Sequence, residues 1–114
     1  MSEISVVALA RIADYFKVLS EVSRLRVLCC LKSGPKNVTE IMEATELGQA
    51  NVSKHLKILA QAGLVLRQPQ GVSVFYQIAD PRIFDLCELV CAQLSVQLEK
   101  QVKQSEQLKA LTLR

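Results

Sequence analysis

The sequence predicts a mainly α-helical fold with one small β-hairpin placed before its last helix. Three observations carry that expectation. Through most of the chain, apolar residues recur at spacings of three and four, the period of a helix with one buried face. The run from Val72 to Ile78 alternates at every second position instead, the period of a strand. Gly34-Pro35, Gly48, Gly63 and Gly71 stand at the seams between these runs.

The chain has 114 residues, 50% of them apolar, which is enough for one domain with a core of its own. Residues 1–114 are therefore read as a single domain. So small a fold covers a limited share of its surface, and dimerisation is a common remedy.

The elements follow in order. Val6, Leu9, Ile12, Phe16 and Leu19 line one face of a first helix over 5–19. Ser20 is the expected cap of a second helix, with Glu21 in its first turn. That helix carries Val22, Leu25 and Leu28 inward and stops at Gly34-Pro35. Thr39 is placed to cap a short third helix that Gly48 breaks. A fourth runs from Gln49 to Ala62 on an apolar stripe of Val52, Leu56 and Leu59, and ends at Gly63. Its opposite face holds Ala50, Lys54, Lys57 and Gln61, flanked by Asn51 and Ser53.

A hairpin is expected over 64–79. Val72, Val74, Tyr76 and Ile78 alternate with Ser73, Phe75 and Gln77, after a turn at Gln70-Gly71. Pro69 sits at the turn end, where a missing amide donor does little harm. Asp80 or Pro81 opens a last helix, 81–110, with Ile83, Leu86, Val90, Leu94 and Leu98 in one stripe and Val102 extending it. A domain this small cannot cover such a helix, so its apolar face is expected to meet a second copy.

Charge is distributed unevenly. The net charge is only +3, but residues 47–79 contain no carboxylate and hold Lys54, Lys57, Arg67 and His55. A phosphate-facing surface requires such clearance. Two helices separated by a few residues, then a hairpin, give the order of a winged helix-turn-helix, with the helix-turn-helix over 39–62. On the fourth helix Gln49, Asn51, Ser53 and Gln61 can exchange hydrogen bonds with base edges or phosphates. Lys54 and Lys57 can neutralise phosphates, and Ala50 permits close approach. Arg67, Gln68, Gln70 and Gly71 would form the wing against the flanking backbone. His55 lies beside the apolar stripe and is read as packing and hydrogen bonding.

The segment EIMEATELGQANVSKHLKILAQAGLVLRQPQGVSVFYQIADPRIFDL resembles the ArsR/SmtB family of winged-helix repressors, most of all in VSKHLKIL, AGLV and YQIADPRI. The resemblance extends over nearly the whole chain. It implies a homodimer joined through the first and last helices, bound to an inverted repeat in double-stranded operator DNA until an inducer releases it. Two familiar metal sites of that family are missing here. Aligning NVTEI with a Cys-x-Cys site puts Asn37 and Thr39 where thiolates should be, and neither is a soft ligand. The last helix carries no His. No cofactor or metal is therefore assigned.

Four cysteines remain. Cys29 and Cys30 are adjacent near the end of the second helix, and Cys87 and Cys91 are one turn apart on the last. The apolar spacing predicts Cys29 inward and Cys30 on the flank, one turn after Arg26, whose cation favours thiolate. An attacking and a resolving thiol would have that arrangement. Some relatives sense sulfide or persulfide with a helix-two thiol and a last-helix thiol, and Cys29 matches the first of these. The expectation is a thiol-responsive repressor triggered through Cys29 and Cys30. Cys87 and Cys91 are read as packing or, in the alternative, as joining Cys29 or Cys30 in a disulfide or in sensing sulfide, persulfide or a soft metal or metalloid.

Other classes are disfavoured. No apolar run approaches the roughly 20 residues that span a bilayer. The amino-terminal stretch is amphipathic, without a basic leading end, so the expected location is the cytoplasm. No His, Asp or Glu partner for a nucleophilic thiol and no Gly-rich phosphate loop emerges, so no catalytic residues are assigned and no enzyme is expected. A dimerisation module that does not bind DNA is the remaining competitor.

Overall fold

The computed structural model describes residues 4–112. They fall into two compact units, one ending at Asp80 and one beginning at Pro81.

In the first unit, α1 spans Val6–Val18, α2 Val22–Cys30, α3 Val38–Thr45 and α4 Gln49–Gln61. A single 3-10 turn, Leu31–Ser33, follows α2. The strands are β1 (Lys36–Asn37), β2 (Val65–Gln70) and β3 (Ser73–Ile78), in the order β1-β3-β2, all antiparallel. The core is built where α2, α3, α4 and the start of β2 meet: Val27, Leu28, Ile41, Val52, Leu56 and Val65 are all nearly inaccessible. This is the mainly helical, winged fold that the sequence predicts.

The helix starts differ from expectation. Ser20 does not cap α2; its hydroxyl donates to the Lys17 carbonyl at 2.6 Å and closes the end of α1. Glu21 is the N-cap of α2 and makes no side-chain cap bond there. On α3 the cap is Asn37, not Thr39. Its side chain accepts the Glu40 amide and the Glu40 carboxylate accepts the Asn37 amide, both at 2.9 Å, a capping box. Gly48 does not break α3. Glu46 ends it in the left-handed region, φ 61°, and Gly48 is the N-cap of α4.

At the other end of α4, Gly63 takes φ 78°. Its amide bonds the Ala60 carbonyl and the Leu64 amide bonds the Leu59 carbonyl, a Schellman closure that leads directly into β2. The hairpin runs in register from Val65↔Ile78 to Gln70↔Ser73. Its loop is Gly71-Val72, so Val72 stands fully exposed at the tip and is not a strand residue. Pro69 is paired with Val74 within β2, an edge strand, where a missing donor is tolerated. The unforeseen strand β1 pairs Lys36 with Tyr76 and Asn37 with Phe75.

The second unit is α5, Arg82–Thr112. Ile83 is buried and Leu86 half-buried; Val90, Leu94, Leu98 and Val102 are exposed. The apolar face of α1, including Leu9, Ile12 and Phe16, is exposed as well. Among the described residues, no helix is long and apolar enough to cross a membrane.

Candidate nucleic-acid interface

Burial of one side of α4 defines what the other side can do. Val52, His55, Leu56 and Leu59 are buried against the core. Gln49, Ala50, Asn51, Ser53, Lys54, Lys57 and Gln61 are all exposed, as the spacing predicted. Two ammonium groups, several amide and hydroxyl groups and a small residue thus share a helix surface without a carboxylate. Arg67 and Gln70 are exposed on β2. Successive strand residues alternate sides, so these two leave opposite faces of the wing.

His55 is 2% exposed. Its Nε2 lies 3.5 Å from Glu21 Oε1, and its Nδ1 has no partner among the described residues. Burial holds its pKa below the ordinary value; Glu21 opposes this, while Arg24 and Lys54 reinforce it. The expectation of packing fits this buried setting, where the one polar approach is that of Nε2 to Glu21.

The orientation of α2 is the main correction. Val22 is exposed and Leu25 only half-buried. The face turned inward is Arg24, Val27, Leu28 and, one turn on, Leu31. Arg24 can occupy it because its guanidinium donates to the Val18 carbonyl at 2.9 Å and to Glu21 Oε2 at 3.1 Å. A paired cation is buried where the apolar pattern anticipated valine.

That rotation exchanges the roles of the neighbouring thiols. Cys29 is exposed; Cys30 is half-buried, and its Sγ donates to the Val27 carbonyl at 3.0 Å. Burial raises the Cys30 pKa; Lys36 works against this and Cys29 with it. The cation that acts on Cys30 is Lys36, and the Arg26 guanidinium donates instead to the Thr45 carbonyl. Cys87 is half-buried and Cys91 exposed. No three His, Cys, Asp or Glu side chains among the described residues are grouped as metal ligands would be.

Sequence reasoning missed the Glu21–Arg24–His55 cluster, the Arg26–Thr45 bond and the Lys36 charge near Cys30. One signal was present: Arg24 falls three, four and seven residues before Val27, Leu28 and Leu31, the spacing of a buried helix face.

A helix-turn-helix with an exposed polar second helix, followed by a hairpin, defines a winged helix-turn-helix DNA-binding protein. Residues 21–66 match the family described as bacterial regulatory protein, arsR family. The transcriptional regulator NmtR of Mycobacterium tuberculosis is 35% identical over 81 residues, 71% of this chain and 68% of NmtR. The chain belongs to the ArsR family of transcriptional regulators. It is similar in structure to the homodimeric winged helix-turn-helix DNA-binding domain of Mb0332 from Mycobacterium bovis, with a TM-score of 0.69, 29% identity and coverage of 82% of this chain and 92% of that one. The AntR antimony-specific transcriptional repressor gives a TM-score of 0.73, 27% identity and coverage of 87% and 90%.

Proposed function

We propose that this chain is a homodimeric cytoplasmic repressor that reads an inverted-repeat operator and releases it when Cys29 and Cys30 are oxidised. The observation that carries the DNA part is the carboxylate-free polar face of α4. Gln49, Ala50, Asn51, Ser53, Lys54, Lys57 and Gln61 would meet the major groove, with Arg67 and Gln70 of the wing on flanking backbone. The exposed apolar rows of α1 and α5 support joining two copies through these helices.

The thiol part rests on Cys29 being exposed beside a half-buried Cys30 on a helix that packs against α3 and α4. Cys29 is the attacking sulfur in this reading, the reverse of the order that helical spacing suggested. Its thiolate attacks peroxide; the O–O bond breaks, and the leaving hydroxide takes up a proton as water. Cys30 then attacks the sulfenic acid of Cys29, the S–S bond forms, and a second water leaves. Two thiols lose two electrons and one peroxide becomes two waters. Adjacent Cα atoms are held about 3.8 Å apart, whereas unstrained disulfides need about 4.4 to 6.8 Å. Closure therefore distorts the last turn of α2 and the surfaces it supports.

The direct test measures binding to a duplex from the protein's own promoter before and after peroxide, with disulfides mapped by mass in the same sample. Loss of affinity with a Cys29–Cys30 bridge is expected, and Cys29→Ser should keep the duplex bound. Release that survives both Cys29→Ser and Cys30→Ser would remove these residues as the trigger.

A second reading has two observations in its favour. Cys87 and Cys91 lie one turn apart on α5, and AntR is a structural neighbour. If reduced protein releases DNA on addition of antimonite, and Cys87→Ser abolishes that response, α5 is the sensing element.

A further inference from the structure

The Arg26 side chain starts from the exposed side of α2 and reaches a buried residue nineteen positions on: its guanidinium donates to the main-chain carbonyl of Thr45. Thr45 is the last residue of α3. Its carbonyl is one of the four that a helix end leaves without an internal donor, and the negative end of the helix dipole favours a cation there.

Thr45 is also the inner pin of the turn between α3 and α4. It is 2% exposed. Its Oγ1 donates to the Ile41 carbonyl at 2.7 Å and accepts the Leu47 amide at 3.3 Å. The next residue, Glu46, is in the left-handed region, and Gly48 offers α4 no side-chain cap. A turn with so little intrinsic preference for its shape is held by its neighbours. Thr45 grips it from inside and Arg26 from α2.

We propose that Arg26 is a positioning residue for DNA recognition. It clamps the α3–α4 turn so that α4 presents its polar face at the angle the groove requires. It also ties that angle to the last turn of α2, because Arg26 lies one helical turn before Cys30. The proposal rests on the DNA-reading role of α4 and not on the thiol chemistry.

The test compares wild type with Arg26→Met and Arg26→Lys, binding the promoter duplex and an unrelated duplex over a range of salt, with thermal melts alongside. Arg26→Met keeps the aliphatic stem and loses every donor. It should weaken promoter binding by about fivefold, the scale of one hydrogen bond, while the salt slope and the affinity for unrelated duplex stay unchanged. Arg26→Lys keeps the charge but loses the planar fork, and should fall between the two. It carries the test if Arg26→Met does not fold. Unchanged promoter affinity in the variants overturns the proposal. So does equal weakening on both duplexes with a salt slope lower by about one in Arg26→Met and full recovery in Arg26→Lys, the pattern of a phosphate contact. Wild-type protein that holds DNA after peroxide sinks the thiol trigger and leaves the Arg26 comparison intact.

Discussion

Glu21, the N-cap of α2, faces His55 on the buried side of α4, with Oε1 and Nε2 3.5 Å apart. The same carboxylate accepts Arg24 through Oε2, and Arg24 holds the last carbonyl turn of α1 at Val18. Three helices are joined by one polar cluster beneath the proposed reading helix, and its chemistry is titratable.

Stability should therefore fall on mild acidification. His55 has a folded pKa below its ordinary value, mainly from burial. The unfolded chain then binds the proton first, with a pKa of about 6.5. Stability is fully present above that pH and is lost as pH falls below it. Urea midpoints measured between pH 8 and 5.5 should drop in wild type and drop less in His55→Gln. Equal slopes for the two proteins would remove His55 as the source.

Arg24→Ala should destabilise the first unit by about 2–3 kcal/mol, the range for losing hydrogen bonds to a charged group plus a packed stem. The Val18 carbonyl loses its guanidinium donor, and the Glu21 carboxylate is left beside His55 alone. Arg24→Lys should recover less than half, because one ammonium cannot serve both acceptors in the geometry of the planar fork. Chemical denaturation at pH 7.5 measures both.

Glu46 pays a backbone cost in the helix-turn-helix turn, with φ at 61°. Only glycine adopts that region freely. Glu46→Gly should raise stability by about 1 kcal/mol, read as a higher urea midpoint with an unchanged slope. A lower midpoint would mean that the Glu46 side chain contributes more than its backbone costs.

Residues of α4 should divide by what they touch. Lys54→Ala and Lys57→Ala should weaken all duplexes alike, each lowering the salt slope by about one. Asn51→Ala should cost about 1–3 kcal/mol on the promoter duplex and relax its sequence preference. Anisotropy titrations at several salt concentrations separate the two patterns. A lysine variant that changes sequence preference without changing the slope would reassign that residue to base reading.

Much of this surface was legible from residue spacing. Val52, Leu56 and Leu59 mark the buried side of α4, and the exposed side then follows from helical geometry alone. The hairpin was legible from its alternation and Gly71, though its turn lies one residue later than expected. β1 was not, because a two-residue strand is too short to display a period. The helix caps were misplaced by one to two residues. Ser20, Glu21, Asn37 and Thr39 are all competent or acidic cap residues, and which of them caps depends on backbone direction.

By itself the sequence determined the order of the helices and the hairpin, the exposed polar face of α4 and membership of the winged class, because periods of 3.6 and 2 and glycine at turns are local properties of the chain. Only the tertiary structure decided how α2 is rotated, and with it which of Cys29 and Cys30 meets solvent. The reason is Arg24. A guanidinium can enter a core only when a carbonyl and a carboxylate are waiting for it, and Val18 is brought there by folding, not by a pattern of apolar residues.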